Sequence, residues 1–322
     1  MSKEKTLSVV IPIYNGATVL KDTVQTISRQ KFHNPIKIEL VLVNDGSKDN
    51  SWEVILEIQK DSPFPCKTVN NIKNLGISAA CNAGIKAASG EYIAVMQADL
   101  LFEEENSLEK MVEQIDSGVI GTYPYVLHPK WVWDTYPFWQ KALFDRLINT
   151  RSEARFAKLG LAKRETFEKV GLYEEELSSG EDRDMLEKMS KLGKVMVTDT
   201  NVIHIHSKEK TFSIMRLLDK EAQEAEGAGA SIKRYGIKKE DILTLILLLT
   251  RPIMAISLFI PFFWPVLAIF VFLYTKNLYK YCRNQREIFV LPFVTIARLW
   301  VYSYYLVKGL ITGKAIANHF KW

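Results

Sequence analysis

The sequence predicts an α/β fold in which a largely parallel sheet carries helices on both faces, and three observations support it. Apolar runs of strand length recur at residues 7–13, 38–43 and 92–96. They are near-continuous rather than alternating, as strands buried on both faces require. Amphipathic stretches separate them, so strand and helix alternate and the crossovers are right-handed. Each strand also ends on a polar cluster: Tyr14-Asn15-Gly16, Asn44-Asp45-Gly46-Ser47 and Gln97-Ala98-Asp99. In open α/β sheets, ligands bind just beyond these carboxyl ends.

The elements follow in order. After the strand at 7–13, a helical pattern covers 17–30, with Asn15 or Thr18 placed to cap it. The strand at 38–43 stops at Asn44, and Asp49, Asn50 or Ser51 caps a helix over 52–60. A weaker strand covers 66–69. Residues 74–88 hold a glycine-bearing loop and a helix of small residues. Ser89-Gly90 turns the chain into the central strand, 92–96, whose end presents Asp99. A carboxylate there either holds a divalent cation and through it a diphosphate, or caps a helix beginning near Glu103. Further helices are expected at 108–115, 163–169 and 183–191, with strands at 119–126 and 195–197, before Val202-Ile203-His204-Ile205-His206. Segment 128–144 concentrates Trp131, Trp133, Tyr136, Phe138 and Trp139. Such density suits a core, an acceptor-binding wall or a membrane interface.

The 322 residues are 48% hydrophobic and 25% charged, room for one large α/β domain and something smaller. The net charge of +5 matters less than its placement. Lys276, Lys280, Arg283 and Arg286 sit between two apolar stretches, which indicates a membrane and not a nucleic acid as partner. Cys66, Cys81 and Cys282 lie far apart and match no metal spacing, as in a reducing compartment. No signal peptide is legible, so the expectation is a cell-membrane protein with its catalytic part in the cytoplasm. Residues 207–240 read as a polar helix and connector. Residues 242–274 contain one charge, Arg251, and prolines 252, 261 and 265. Their about 33 residues exceed the about 20 of one spanning helix. Either one long tilted span or a Pro-kinked hairpin results, and the hairpin keeps the basic loop inside. The stretch 288–311 carries Arg298 and Lys308 and suits an interfacial helix as well as a crossing one. The expected divisions are 1–208, a connector at 209–240 and a membrane-associated helical region at 241–322.

Several stretches, in order, resemble the inverting family 2 glycosyltransferases of GT-A fold. They are Val9-Val10-Ile11-Pro12-Ile13-Tyr14-Asn15, Asn44-Asp45-Gly46-Ser47, the run from Asn74 to Gly84, Gly90-Glu91-Tyr92-Ile93 into Gln97-Ala98-Asp99, and the run from Phe167 to Tyr173 leading to Gly180-Glu181-Asp182. The resemblance covers about residues 6–206. It implies a GT-A, Rossmann-like mixed sheet, a nucleotide-sugar donor, and a C-terminal membrane hairpin followed by an interfacial or membrane helix. Pro12, Tyr14, Asn15, Asp45, Gly46, Asn74, Gly76, Asn82, Gln97 and Ala98 would then line the donor site. Asp99 and His204 would hold Mg²⁺ or Mn²⁺. Asp182 would be the base that takes the acceptor proton, assisted by Glu181.

The residues suit those roles, each against a plainer one. Asp45 accepts hydrogen bonds from a base N–H or a ribose hydroxyl, or closes an Asx-turn. Asn82 contacts the donor or packs. Asp182 is a base kept ionised at a helix N-terminus, or a cap. Asp184 reads as a first-turn charge. His206 lies on the same side of an extended chain as His204. Two positions depart from the family pattern: Gln97 stands for the first acid of Asp-x-Asp, and Cys81 where an arginine is common. The expected reaction moves a sugar from a UDP- or GDP-sugar to a hydroxyl of a lipid-linked saccharide or polysaccharide. The alternatives are transfer to polyprenyl phosphate itself and a non-catalytic nucleotide-sugar-binding scaffold. A homo-oligomer stays open, since no interface is legible.

Overall fold

The computed structural model describes residues 4–154, 156, 158–177, 179–206, 212–237 and 242–315, with 242–248 described by backbone alone. In chain order it contains β1 (Lys5–Ile13), α1 (Leu20–Ser28), β2 (Ile36–Asp45), α2 (Ser51–Asp61), β3 (Cys66–Asn71), α3 (Ile77–Ala87), β4 (Tyr92–Met96), β5 (Leu100–Phe102), α4 (Ser107–Asp116), β6 (Gly121–Leu127), α5 (Lys130–Asp134), α6 (Phe138–Phe144), β7 (Arg151–Glu153), β8 (Leu159–Lys163), α7 (Arg164–Val170), α8 (Glu181–Leu192), β9 (Val195–His204), α9 (Ile214–Tyr235), α10 (Ile242–Ser257), α11 (Trp264–Thr275) and α12 (Gln285–Thr312). Contacts divide the chain into two units. One comprises residues 1–132, 148–175 and 181–208; the other comprises 133–147, 176–180 and 209–322. The expected divisions at 208/209 and 240/241 lie outside the described residues.

The first unit holds one mixed sheet, ordered β3-β2-β1-β4-β8-β6-β9-β5, with β7 beside β6. β3, β2, β1 and β4 run parallel, and their buried Val, Ile and Leu side chains form the main core. β2 and β4 therefore deliver Asp45 and Asp99 to the same edge of the sheet. β8 pairs antiparallel with β4 and β6 and makes the sheet mixed. Its sequence, Leu-Gly-Leu-Ala-Lys, has no β-branched residue and contains a glycine, so it carries little strand signal by itself. Its first four residues are buried by the strands around it.

Local expectations needed correction at several points. Neither Asn15 nor Thr18 caps α1; the Gly16 carbonyl accepts the amides of Val19 and Leu20, both at 3.1 Å. Before α2, Asp49 accepts the Ser51 amide at 3.0 Å. No helix begins at Glu103: the chain continues as β5 against β9, and α4 starts at Ser107. The strand at 195–197 and the histidine segment are one strand through His204, because β6 pairs with it along its length. Glu39 is a buried clasp. Its carboxylate accepts from Ser8 Oγ (2.5 Å), Ser89 N (2.8 Å), Ser89 Oγ (2.7 Å) and Lys67 Nζ (2.8 Å), tying β1, β2, β3 and the turn before β4.

The second unit is helical. α9 and α12 pack with backbones nearly touching at Gly229 and Gly309. A Cβ on Gly229 would lie 2.2 Å from the Leu306 carbonyl oxygen, and one on Gly309 2.2 Å from that of Glu226. Glu226 also pairs with Lys308 at 2.7 Å. Glu221 of α9 accepts from Arg251 Nη1 and Arg298 Nε, both at 2.8 Å. The arginine that seemed costly within an apolar helix is thus neutralised inside the protein. Phe138, Ala142 and Leu143 pack with Leu217 and Leu291 in a core. Trp133 and Tyr136 are also buried, whereas Trp131 is 57% exposed. For most of this aromatic segment, then, packing accounts for the density.

Among the described residues, α12 is the one helix long and apolar enough to cross a membrane. Leu249–Ser257 and Pro261–Thr275 also pass that test together, but they meet at 119°, a broken span or a re-entrant loop. Pro252 lies within α10, and Pro261 opens the 3-10 turn that follows the break.

Candidate active site

The carboxyl ends of β1, β2 and β4 build the site. After β2, Gly46 adopts φ +66°, and a Cβ there would lie 2.3 Å from the Lys73 carbonyl carbon. Only glycine permits that approach of the two loops. Asp45, 3% exposed, accepts from Asn71 Nδ2 (3.0 Å), Leu75 N (2.9 Å) and Gly76 N (3.0 Å). Its carboxylate therefore shapes the loop of Asn74 and Gly76. Asn15 works similarly: its amide donates to Ser47 Oγ at 3.0 Å and its side-chain oxygen accepts from Lys48 N at 2.8 Å. Tyr14 is 38% exposed at this edge.

Asn82 also holds backbone. Its side-chain amide donates to the Tyr173 carbonyl (2.9 Å) and Glu175 Oε1 (3.0 Å), and its oxygen accepts the Tyr173 amide (2.9 Å). A fully engaged, buried amide anchors the 173–175 loop on α3. Cys81 is buried beside it, and burial first, then the charges of Glu181 and Asp45, push its thiol well up. Pro12, Cys81, Gln97, Lys158, Tyr173 and Glu181 line one small cavity, which brings together three of the expected residues. The Ala98 carbonyl accepts from Thr23 Oγ1 at 2.7 Å, fixing the turn into Asp99.

Asp99 Oδ2 lies 3.1 Å from His204 Nε2. Burial alone would raise the Asp99 carboxyl, but His204, Lys158 and His206 outweigh it and hold it well below the carboxylate range. An oxygen and a nitrogen sharing one ion, at bonds of about 2.1 Å and a right angle, lie about 3 Å apart. This donor pair therefore fits a divalent cation. Gln97, in place of the other acid, accepts a hydrogen bond from Lys158 Nζ at 3.0 Å.

Glu181 and Asp182 occupy the first turn of α8, which begins two residues earlier than the sequence suggested. Burial raises the Asp182 carboxyl, against the lowering effects of the Arg183 amide and the Lys158 charge. Asp184 is a first-turn charge of α8, 1% exposed and paired with Lys188 at 2.8 Å.

Two residues escaped the sequence reading. Lys158 immediately precedes β8, a strand with no pattern of its own, so nothing placed it near Gln97. His128 directly follows β6, and its ring lies 5.6 Å from that of His204. Burial, then His204 and Lys158, lower it to about 4. The legible signal was that three of the chain's five histidines end strands or follow them.

Known proteins share the fold and part of the sequence. "Glycosyltransferase GlyG" of Streptococcus pneumoniae is 35% identical over 122 residues, 36% of this chain and 38% of that protein. A dolichol-phosphate mannosyltransferase of Pyrococcus furiosus is 34% identical over 140 residues, 42% of this chain and 38% of that protein. The matches thus span little more than a third of these relatives' length. The mannosyltransferase PcManGT of Pyrobaculum calidifontis, solved with GDP-Man and Mn²⁺, superposes with a TM-score of 0.60 at 18% identity, covering 95% of this chain and 88% of that one, which shows a shared fold. Residues 8–167 match the family described as Glycosyl transferase family 2.

Proposed function

We propose that the protein is a membrane-associated, inverting glycosyltransferase that moves a sugar from a UDP- or GDP-sugar to a hydroxyl of a lipid-linked saccharide or polysaccharide. The observation that carries this reading is the pairing of Asp99 with His204 at the end of the central strand, in the domain that also bears Asp182 on α8. Pro12, Tyr14 and the loop of Asn74 and Gly76 receive the nucleoside, with Asp45 and Gly46 holding that loop in place and Asn15 holding the turn at Ser47 and Lys48. Asp99 and His204 would hold Mg²⁺ or Mn²⁺, and the ion would supply Lewis-acid stabilisation of the leaving diphosphate. Asp182 takes the proton from the acceptor hydroxyl as its oxygen attacks the anomeric carbon. The anomeric C–O bond breaks on the opposite side, and its electron pair departs on the phosphate oxygen.

Membrane association is supported by the second unit. Phe259, Phe262 and Trp264 at the α10–α11 break are exposed, as are Phe289 and Phe293 on α12. Apolar surface of this kind favours lipid over water. Anchorage would raise the effective concentration of a lipid-linked acceptor. The relative that acts on dolichol phosphate keeps a second reading in view, direct transfer to a polyprenyl phosphate. That acceptor is already anionic and needs no base.

A donor panel tests the proposal. Detergent-purified protein is incubated with UDP- and GDP-sugars, Mn²⁺ or Mg²⁺, and either a polyprenyl-phosphate sugar or polyprenyl phosphate, and nucleoside diphosphate release is followed. Release with one donor and the saccharide acceptor, abolished by Asp182→Asn, is expected. Release insensitive to Asp182→Asn with polyprenyl phosphate selects the second reading. No release with any donor, together with nucleotide binding, selects a scaffold.

A further inference from the structure

His128, His204 and His206 lie together in the first unit, and their arrangement is built by the backbone. β6 pairs in parallel with β9, with Leu127 opposite Ile203, so the residue ending each strand falls beside the other. The His128 amide donates to the Thr150 carbonyl at 3.2 Å, which holds that strand end. The chain then leaves β9 at His204 and turns through a left-handed residue, His206, at φ +49°. A side chain in that region costs about 1–2 kcal/mol. The turn folds the His206 ring onto His204, with centroids 3.5 Å apart, while His128 is 6.1 Å from His206. One ligand nitrogen from each of the three histidines lies within 4.8 Å of the others. Asp99 adds a carboxylate oxygen against His204.

We propose that His128 and His206 join His204 and Asp99 as ligands of one nitrogen-rich cation site, which selects Mn²⁺, Co²⁺ or Zn²⁺ over Mg²⁺. The inference rests on the proposed function only in sharing Asp99 and His204; cation binding itself needs no donor. The physical reason is the donor set. Mg²⁺ prefers hard oxygen ligands and retains its waters, whereas imidazole suits the later divalent metals. At the first position of the acidic motif the chain offers the neutral Gln97, whose oxygen is already engaged by Lys158. The oxygen ligands that favour Mg²⁺ are thus depleted just where three imidazoles are supplied.

The test uses metal-stripped full-length protein in detergent, titrated without nucleotide. Co²⁺ is followed by its visible absorption, Mn²⁺ by loss of the free-ion resonance signal, and Mg²⁺ by competition with Mn²⁺. Co²⁺ is expected to bind about 100-fold more tightly than Mg²⁺. His128→Asn and His206→Asn are each expected to weaken Co²⁺ by about tenfold or more, with Mg²⁺ affinity little changed. His128→Gln, which keeps more of the side-chain volume, stands in if His128→Asn melts early. Co²⁺ and Mg²⁺ affinities within a few-fold of each other overturn the proposal, and so do folded variants of both histidines that retain wild-type Co²⁺ binding. Metal selectivity as expected without sugar transfer would overturn the function instead. Transfer supported equally by Mg²⁺ and Mn²⁺, with equal affinities, would leave the function standing and remove the histidine site.

Discussion

Lys158 donates from Nζ to Gln97 Oε1 at 3.0 Å, placing an ammonium beside the position where the family pattern has the first acid of Asp-x-Asp. The same charge lowers the Asp99 carboxyl and opposes the rise of Asp182. One cation thus acts on both groups to which the proposed chemistry assigns work. Lys158→Met should lower kcat/KM for the donor by about 10- to 100-fold, with Lys158→Arg recovering part of the loss. Steady-state kinetics with the preferred donor checks this. Wild-type kcat/KM in the Met variant would mean that Lys158 only supports Gln97.

Asp182 should set the acid limb of the pH profile. A base must be ionised to act, so the rate rises with pH as its carboxyl deprotonates. Burial raises that carboxyl, so the limb should lie above the ordinary aspartate value of 3.8. In Lys158→Met the limb should move to still higher pH, because a lowering charge is gone. Asp182→Asn should cost about 10²- to 10⁴-fold in kcat and remove the limb. Profiles of kcat/KM for the three proteins decide it.

Glu39 should make the sheet acid-sensitive. Burial would raise its carboxyl, but hydrogen bonds from Lys67, Ser8 and Ser89 prevail and bring it from 4.5 to about 2. A group lowered on folding contributes stability that is complete above its unfolded value and lost as pH falls through its folded one. The contribution should therefore fade between 4.5 and about 2. Glu39→Gln should cost on the order of 2 kcal/mol at neutral pH and flatten that acid slope. Denaturant melts across this range measure both.

Glu221 should be essential to the helical unit. It accepts from Arg251 and Arg298, and Arg298 is 4% exposed within α12. Glu221→Ala leaves buried charge unpaired, which costs about 3–5 kcal/mol. Adding Arg298→Met should restore part of the loss, since it removes one of the stranded charges. Melting temperatures of the detergent-solubilised variants report the outcome. Equal stability of Glu221→Ala and wild type would show that water or lipid headgroups satisfy these arginines.

By itself, the sequence determined the strand–helix alternation, the central strand at 92–96 and the candidacy of Asp99, which are written in local hydrophobic period and in short polar clusters at strand ends and need no distant partner. The candidacy of His204 and Asp182 came from the resemblance to a family. Tertiary structure alone decided the rest. β8 exists because β4 and β6 bury it, and it carries Lys158 to Gln97. Asp45 and Asn82 also hold backbone 30 and 91 residues away, contacts that residue type alone does not announce. His128 meets His204 through a parallel pairing across 76 residues, and Arg298 is tolerable only because Glu221 faces it. A charge or a lone pair acquires its role from what lies opposite it, and that depends on chain closure over distances that local pattern does not record.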